Sequence, residues 1–232
     1  MQPAFSMQGL DTPGEHRPRR RPPETTLDVE LAAGLSLRLG SSSSYELSED
    51  QSAGLAYGPS VWLAPNRLFS LGVAYERVAL GVDRSEGGTS SVDVRRALDA
   101  VWLRGRAYPW REDSVGLFVG LGLGMSWQHV RGTGTRPGDG FTRPPSAYGC
   151  DASDGPGIAL GGGVGLDVAV SRDVAFLTGF DAAAHRQSGD VIGGCAPGSG
   201  SITTLGAHLG FAYRFDLDDS SSPRTSARIQ AR

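Results

Sequence analysis

Val115-Gly-Leu-Phe-Val-Gly-Leu-Gly-Leu-Gly-Met-Ser-Trp127 is the stretch on which the fold turns. Successive side chains of a β-strand point to opposite sides, so Val115, Leu117, Val119, Leu121, Leu123, Met125 and Trp127 share one face. Gly116, Gly120, Gly122 and Gly124 share the other. The surrounding segment is the most apolar uncharged part of the chain. Its alternation and its glycines nevertheless exclude a membrane-spanning helix, which needs about 20 consecutive apolar residues.

The same period recurs seven times. In the first segment Leu27, Val29, Leu31, Ala33, Leu35, Leu37 and Leu39 face one way, with Asp28, Glu30, Ala32, Gly34, Ser36, Arg38 and Gly40 opposite. Leu55, Tyr57, Val61 and Leu63 mark a second strand, in which Pro59 suits a bulge. Phe69, Leu71, Val73 and Tyr75 mark a third, and Val101, Leu103 and Ala107 a fourth. Both lose strict alternation, near Val78 and Leu98, where a bulge or a register error is expected. Beyond the fifth come Ile158, Leu160, Val164, Leu166, Val168 and Val170, then Val174, Phe176, Phe180, Ala182 and Ala184. The eighth holds Leu205, Ala207, Leu209, Phe211, Tyr213 and Phe215.

Short turns are expected at residues 65–66, 109–113 and 171–172, and longer polar loops at 41–52, 85–91, 132–154 and 188–200. Short turns on one side and long loops on the other is the layout of an up-and-down outer-membrane barrel. A soluble lipocalin-like carrier has eight alternating strands too, so the faces decide. The interior of eight strands is only side-chain wide. Glycine, alanine, serine and a few charges fit there, whereas rows of Leu and Phe overfill it. The large apolar face therefore points outward, to lipid. Phe69, Phe176, Tyr213 and Phe215 near the short turns, and Tyr75 and Trp127 toward the long loops, fit two interfacial belts. The expected fold is all-β, an eight-stranded antiparallel up-and-down transmembrane β-barrel over residues 26–217. A disordered polar leader (1–25) and a disordered polar tail (218–232) flank it.

Two motifs carry a family resemblance. His208-Leu-Gly210-Phe-Ala-Tyr213-Arg-Phe215 resembles the C-terminal assembly signal of outer-membrane barrels at His208, Gly210, Tyr213 and Phe215. Arg106-Ala-Tyr108-Pro109-Trp110 looks like the fourth-to-fifth strand turn of the outer-membrane protein A-like family of small barrels. The resemblance implies residence in the lipid bilayer of a bacterial outer membrane and insertion by the barrel-assembly machinery. It implies no single activity, because members include anchors, adhesins, narrow pores and a few lipid-modifying enzymes. A secretory signal is expected ahead of such a barrel. Residues 1–25 do not read as one, being polar and proline-rich with Arg17 and Arg19 to Arg21. Residues 218–232 are too short for a peptidoglycan-binding domain, so that anchoring role is not expected.

Catalytic and ligand signatures are weak. A net charge of −3 leaves no basic footprint for nucleic acid. Gly161-Gly-Gly163-Val-Gly165 lacks the lysine and the strand-to-helix switch of a phosphate loop. Ser126 with His129, and His185 with Ser188, are each three residues apart, which puts nucleophile and base on opposite faces. Lipid-A deacylases of this fold carry the two residues two apart. Asp139, Asp151 and Asp154 read as a solvated acidic loop. No cofactor, no metal and no enzymatic activity are expected. The expected role is structural or surface-interacting, with a narrow pore or solute-binding barrel, a lipid-modifying enzyme and a soluble carrier as alternatives. The extracellular partner is unspecified.

Three features of the interior and loops are expected. Cys150 and Cys195, in the third and fourth long loops, form one disulfide in an oxidising compartment. Asp181 and His208 stand opposite each other in the lumen. Asp28, Glu30, Arg104, Arg106, Asp167 and Arg214 face inward at one depth and plug it, with Arg214 on Asp28 or Glu30, and Arg104 or Arg106 across to Asp167.

Overall fold

The structure is a computed structural model that describes residues 25–41, 53–87, 90–112, 114–136 and 146–217. The leader and the tail expected at the chain ends lie outside the described residues, apart from Thr25. The strands in chain order are β1 (Thr26–Ser41), β2 (Ala53–Ala64), β3 (Phe69–Gly87), β4 (Ser90–Arg111), β5 (Val115–Arg136), β6 (Ser146–Ala169) and β7 (Val174–Arg186). The short β8 (Val191–Ile192) and β9 (Ala196–Pro197) follow, then β10 (Ser201–Asp216). Eight of them close into an antiparallel barrel in the order β1-β10-β7-β6-β5-β4-β3-β2, and β8 pairs with β9 alone.

Closure comes with a fixed stagger. Paired residues lead from Leu27 through Leu63, Leu71, Gly105, Leu121, Gly162, Ala182 and Leu205 back to β1 at Leu37. One circuit thus climbs from position 27 to position 37, and strands so staggered tilt by roughly 40° to the barrel axis. Side chains at one depth therefore come from quite different pairing rows.

Alternation sets the two surfaces. Leu31, Leu35, Leu103, Leu121, Leu123, Leu160, Phe180 and Phe211 are all exposed on the exterior, Leu121 by 74%. Trp62, Trp102, Asp28, Glu30, Asp167 and Ser126 are buried inside. A soluble carrier has the opposite polarity, so that alternative falls. Closure leaves no unpaired edge across the apolar zone, which is what hydrocarbon demands of a spanning sheet.

Local chemistry fixes the short turns. Asn66 Oδ1 accepts from the amides of Leu68 and Phe69, both at 2.9 Å. Ser171 Oγ accepts from the Val174 amide at 3.1 Å. Such side-chain turns are what Asn and Ser favour.

The structure corrects several expectations. Pro59 makes no bulge, since β1–β2 pairing runs unbroken through Leu31–Pro59. On the β3 side Gly58 and Pro59 simply have no partner, proline lacking an N–H to give. The third-strand bulge lies past Val78, between Ala79 and Gly81, and Gly81 takes φ +93° there. Val78 and Leu98 pair directly and both face inward. Pro109 belongs to β4, whose register slips between Ala107 and Trp110. Above all, most of the expected loop at 132–154 is strand. β5 runs to Arg136 and β6 starts at Ser146, while β3 and β4 approach as close as Gly87–Ser90. Cys150 is therefore a strand residue.

β3, β4, β5 and β6 are 19, 22, 22 and 24 residues long. Crossing a membrane takes only about 9–11. Above Met125 and Val101 the outward positions turn polar, with His129, Arg131 and Thr133 on β5 and Asp99 and Arg95 on β4. A four-stranded sheet thus projects beyond the apolar band. Its two edges are β3 past Val78, where the β2 pairing ends, and β6 before Ile158, where the β7 pairing ends.

Candidate functional site

The lumen is packed by aromatic side chains set into glycines. Trp62, Trp102, Tyr108 and Phe118 point inward and are buried. A Cβ on Gly72 would lie 2.5 Å from Trp62 Cδ2, and one on Gly124 2.8 Å from Trp102 Cε3. Gly116 makes the same room for Tyr108, and Gly165 for Phe118. The inward glycines are sockets for rings contributed by other strands.

Arginines stack on these rings and pair with acids, in tiers. At the short-turn end Arg214 Nε lies 3.3 Å from Asp28 Oδ2, and its Nη2 pairs with Asp167. Arg111 reaches Asp167 at 3.5 Å and lies over Tyr108 at 4.4 Å. Above, Arg106 forks onto Glu30 at 2.5 and 2.9 Å. Its guanidinium is held between Trp62 at 3.6 Å and Phe118 at 4.6 Å. Trp62 Nε1 donates to Ser60 Oγ at 2.8 Å, which donates to Glu30 at 3.1 Å. Arg104 donates to Glu76 at 2.6 Å and lies 4.7 Å over Trp102.

His208 Nδ1 lies 3.0 Å from Asp181 Oδ1. A cavity of about 70 Å³ remains among Glu30, Ser60, Glu76, Arg104, Asp181 and His208. Polar walls and that volume suit a few waters. Val78, Leu80, Leu98 and Ile202 form an apolar layer nearer the long-loop end.

The mouth at that end is also filled. Residues 187–200 fold inward, and the β8–β9 hairpin packs Ile192 and Ala196 on Val94 and Val130. Arg96 donates to the Pro197 carbonyl at 2.7 Å. Gln128 brackets the segment, donating to the Ser188 carbonyl and accepting from the Ser199 amide, each at 3.0 Å. Gln187 donates to the Ser126 carbonyl at 3.1 Å and also to Ser126 Oγ. Cys150 and Cys195 are joined, with Cα atoms 5.5 Å apart. Tyr148 Oη donates to the Cys195 carbonyl at 2.7 Å.

All six expected lumen charges face inward and Arg214 reaches Asp28, but the other expected pairing differs. Neither Arg104 nor Arg106 meets Asp167; the stagger carries Arg106 to Glu30 and Arg104 to Glu76. The charges form tiers rather than one layer. Glu76, Arg111 and the four lumen aromatics were not anticipated, although the inward parity of Glu76 and Trp62 was there to read. Asp181 pairs with Gly206 and His208 with Gly179, so the two are diagonal neighbours rather than opposite. In β10, Tyr213 and Phe215 face outward, His208 faces the lumen, and Gly210 lies tight against β1 at Ala32.

Ser126 is buried in the lumen, whereas His129 lies outside, its Nε2 2.7 Å from Asp99. Asp99 also accepts from Tyr75 Oη at 2.6 Å and pairs with Arg77 at 3.3 Å, a polar belt capping the apolar band. His185 is buried edge-on to Trp102, ring centroids 5.6 Å apart. Ser188 Oγ bonds Asp190 instead. Asp139 lies outside the described residues; among those described no group of three metal-ligating side chains occurs.

A closed barrel with an even number of antiparallel strands, a lipid-facing apolar band, aromatic belts and a polar packed lumen is an outer-membrane β-barrel, and its place is the bacterial outer membrane. No family model and no curated protein sequence matches the chain. Among solved structures, Ail, the attachment invasion locus protein of Yersinia pestis, is similar at 13% identity and TM-score 0.47, over 83% of this chain and 99% of that one. A major outer membrane protein from Thermus thermophilus matches at 16% identity and TM-score 0.47, over 82% and 99%. Neisserial surface protein A matches at 13% and TM-score 0.42, over 82% and 97%.

Proposed function

We propose that this chain is a non-enzymatic outer-membrane protein that works at the cell surface. The barrel is a sealed anchor, and the projecting β3–β6 sheet is the part that meets other molecules. One observation carries this reading: strands of 19 to 24 residues rise far past the apolar band, where their outward positions turn polar. The tiers of ion pairs and rings support a closed lumen, which argues against the pore. The separation of Ser126 from His129 argues against lipid hydrolysis. Insertion by the barrel-assembly machinery, through His208, Gly210, Tyr213 and Phe215, is part of the proposal.

The test replaces the β5–β6 extension above Val130 and Ala152 by a tight turn, with Cys195→Ala. Cells displaying the wild type and the shortened form are compared for adhesion to immobilised serum and matrix proteins. Adhesion is expected to disappear while the barrel keeps its heat-dependent gel mobility. Equal adhesion by the shortened form refutes the reading.

A further inference from the structure

The segment at 187–200 is a hairpin closed at its base by backbone hydrogen bonds of Gln187 and Ser188 with Gly200 and of Gly198 with Asp190, and it is held in the mouth by what it touches. β8 and β9 share only two residue pairs, Val191–Pro197 and Ile192–Ala196. An isolated hairpin of that size does not stand alone in water. Gly193 and Gly194 turn its tip at φ +53° and +70°, and Gly200, at φ +62°, marks its return to β10. Besides the disulfide, its ties to the sheet include hydrogen bonds made by Arg96 and Tyr148, two made by Gln128, two accepted by Ser126 from Gln187, and a small apolar contact. Every one of these comes from β4, β5 or β6, so the segment is strapped to the inner face of the projecting sheet. Gln187 Oε1 at its base, and His185 Nδ1 and Trp102 Nε1 further in, are all buried and without a hydrogen-bond partner among the described residues. Groups in that condition need water, and the closed segment keeps bulk water from them.

We propose that residues 187–200 are a lid latched by the Cys150–Cys195 disulfide, and that reduction by an external dithiol releases it. Both cysteines are only half-buried, so a small thiol reaches them. A thiolate of the reagent attacks one sulfur and the other cysteine leaves as a thiolate that takes up a proton. The reagent's second thiol then closes on the mixed disulfide. The cystine gains two electrons and two protons as two thiols, and the dithiol ends as a cyclic disulfide. The freed hairpin swings between Gln187 and Gly200, and water enters as far as His185 and Trp102. The ion-paired tiers below stay shut, so the opened state is a hydrated vestibule and not a channel.

The test uses the whole chain folded in lipid vesicles. Histidine acylation by diethylpyrocarbonate is followed residue by residue in mass spectra, before and after dithiothreitol and again after reoxidation. His129, outside the barrel, reacts in every state and His208, deep in the lumen, reports on wholesale unfolding. The lid predicts at least a tenfold faster reaction at His185 on reduction, reversed on reoxidation, with His208 unchanged. Cys195→Ser, without any reductant, gives the same acceleration. Where that variant does not insert, reduction of the preinserted wild type decides alone. An unchanged His185 rate after complete thiol release overturns the proposal. So does a rise at His185 matched by His208, which reports unfolding instead of a lid.

Discussion

Replacing Glu30 by Gln removes the acid beneath Arg106 and leaves its shape. The size of the effect depends on whether the pair behaves as a surface bridge or a buried one. Their side chains are 11% exposed for Arg106 and 4% for Glu30, which places the pair in the buried class. Exposed bridges contribute about 0–1 kcal/mol. Removing one member of a buried pair costs roughly 3–5 kcal/mol, because the other charge is stranded. Arg106 has no easy escape, since Trp62 and Phe118 hold it from both sides. The ring contacts survive the substitution and soften the loss, each by about 0.5–2 kcal/mol at most. We therefore expect Glu30→Gln to destabilise the barrel by about 3 kcal/mol. Asp216→Asn is the reference, since Arg172–Asp216 is a pair at the short-turn rim with Arg172 57% exposed; its cost is expected below about 1 kcal/mol. Adding Arg106→Met to Glu30→Gln should recover part of the loss, because no stranded charge remains. The assay is reversible urea unfolding in vesicles, read by tryptophan fluorescence. Equal, sub-kilocalorie losses for Glu30→Gln and Asp216→Asn would refute the sealed ion-pair tier.

In planar bilayers the wild type should show no large steady conductance, while Arg104→Ala, Arg106→Ala and Arg214→Ala should raise it. A steady wild-type conductance that these substitutions leave unchanged removes the plug. Leu121→Arg, at the exposed centre of the apolar band, should cost about 2–4 kcal/mol, against near zero for Ser153→Arg on the projecting sheet; equal costs in the unfolding titration would place the exterior in water. Gly165→Val drives a side chain into Phe118 and within 2.5 Å of the Thr178 carbonyl, so a loss of at least about 1–3 kcal/mol is expected. At Gly105 an added Cβ meets only ordinary contacts, from 3.7 Å outward, so Gly105→Ala should be tolerated in the same titration. Thiol counting on denatured, unreduced protein should find no free thiol, and reducing the bridge should lower stability by about 2–4 kcal/mol.

The two faces were legible because parity survives most errors of register. The expected pairing of Asp181 with His208 was off by two residues, which moves a side chain along its own face and leaves the two in reach. One-residue irregularities are different. The slip between Ala107 and Trp110 inserts a residue, so Arg111 turns inward although it shares the parity of outward Leu103. A turn placed at Pro109 hides that arginine altogether. Partners across the lumen were the least legible, because they depend on the stagger of the whole ring. Glu30 and Arg106 lie on strands that are not neighbours, and no local pattern says which acid an inward arginine will find.

The projecting sheet was missed for a reason that lies in the solvent. Period-two hydropathy reports a strand only where its two sides face different media. Within the apolar band β5 has lipid on one side and a packed lumen on the other, and Val115 to Met125 alternate accordingly. Higher up, Arg131, Thr133 and Thr135 face water, while Gly132 and Gly134 line the inner side as small residues. Gly132 is small because Tyr148 and Cys150 pack over it; a Cβ there would lie 2.8 Å from the Cys150 sulfur. Polar positions outside and glycines inside read as loop, although the pairing from Val130–Ala152 to Arg136–Ser146 is unbroken. The signal that remained was chemical. The Cys150–Cys195 bridge brings its two Cα atoms to 5.5 Å and so fixes one point of β6 beyond the apolar band against the 187–200 segment.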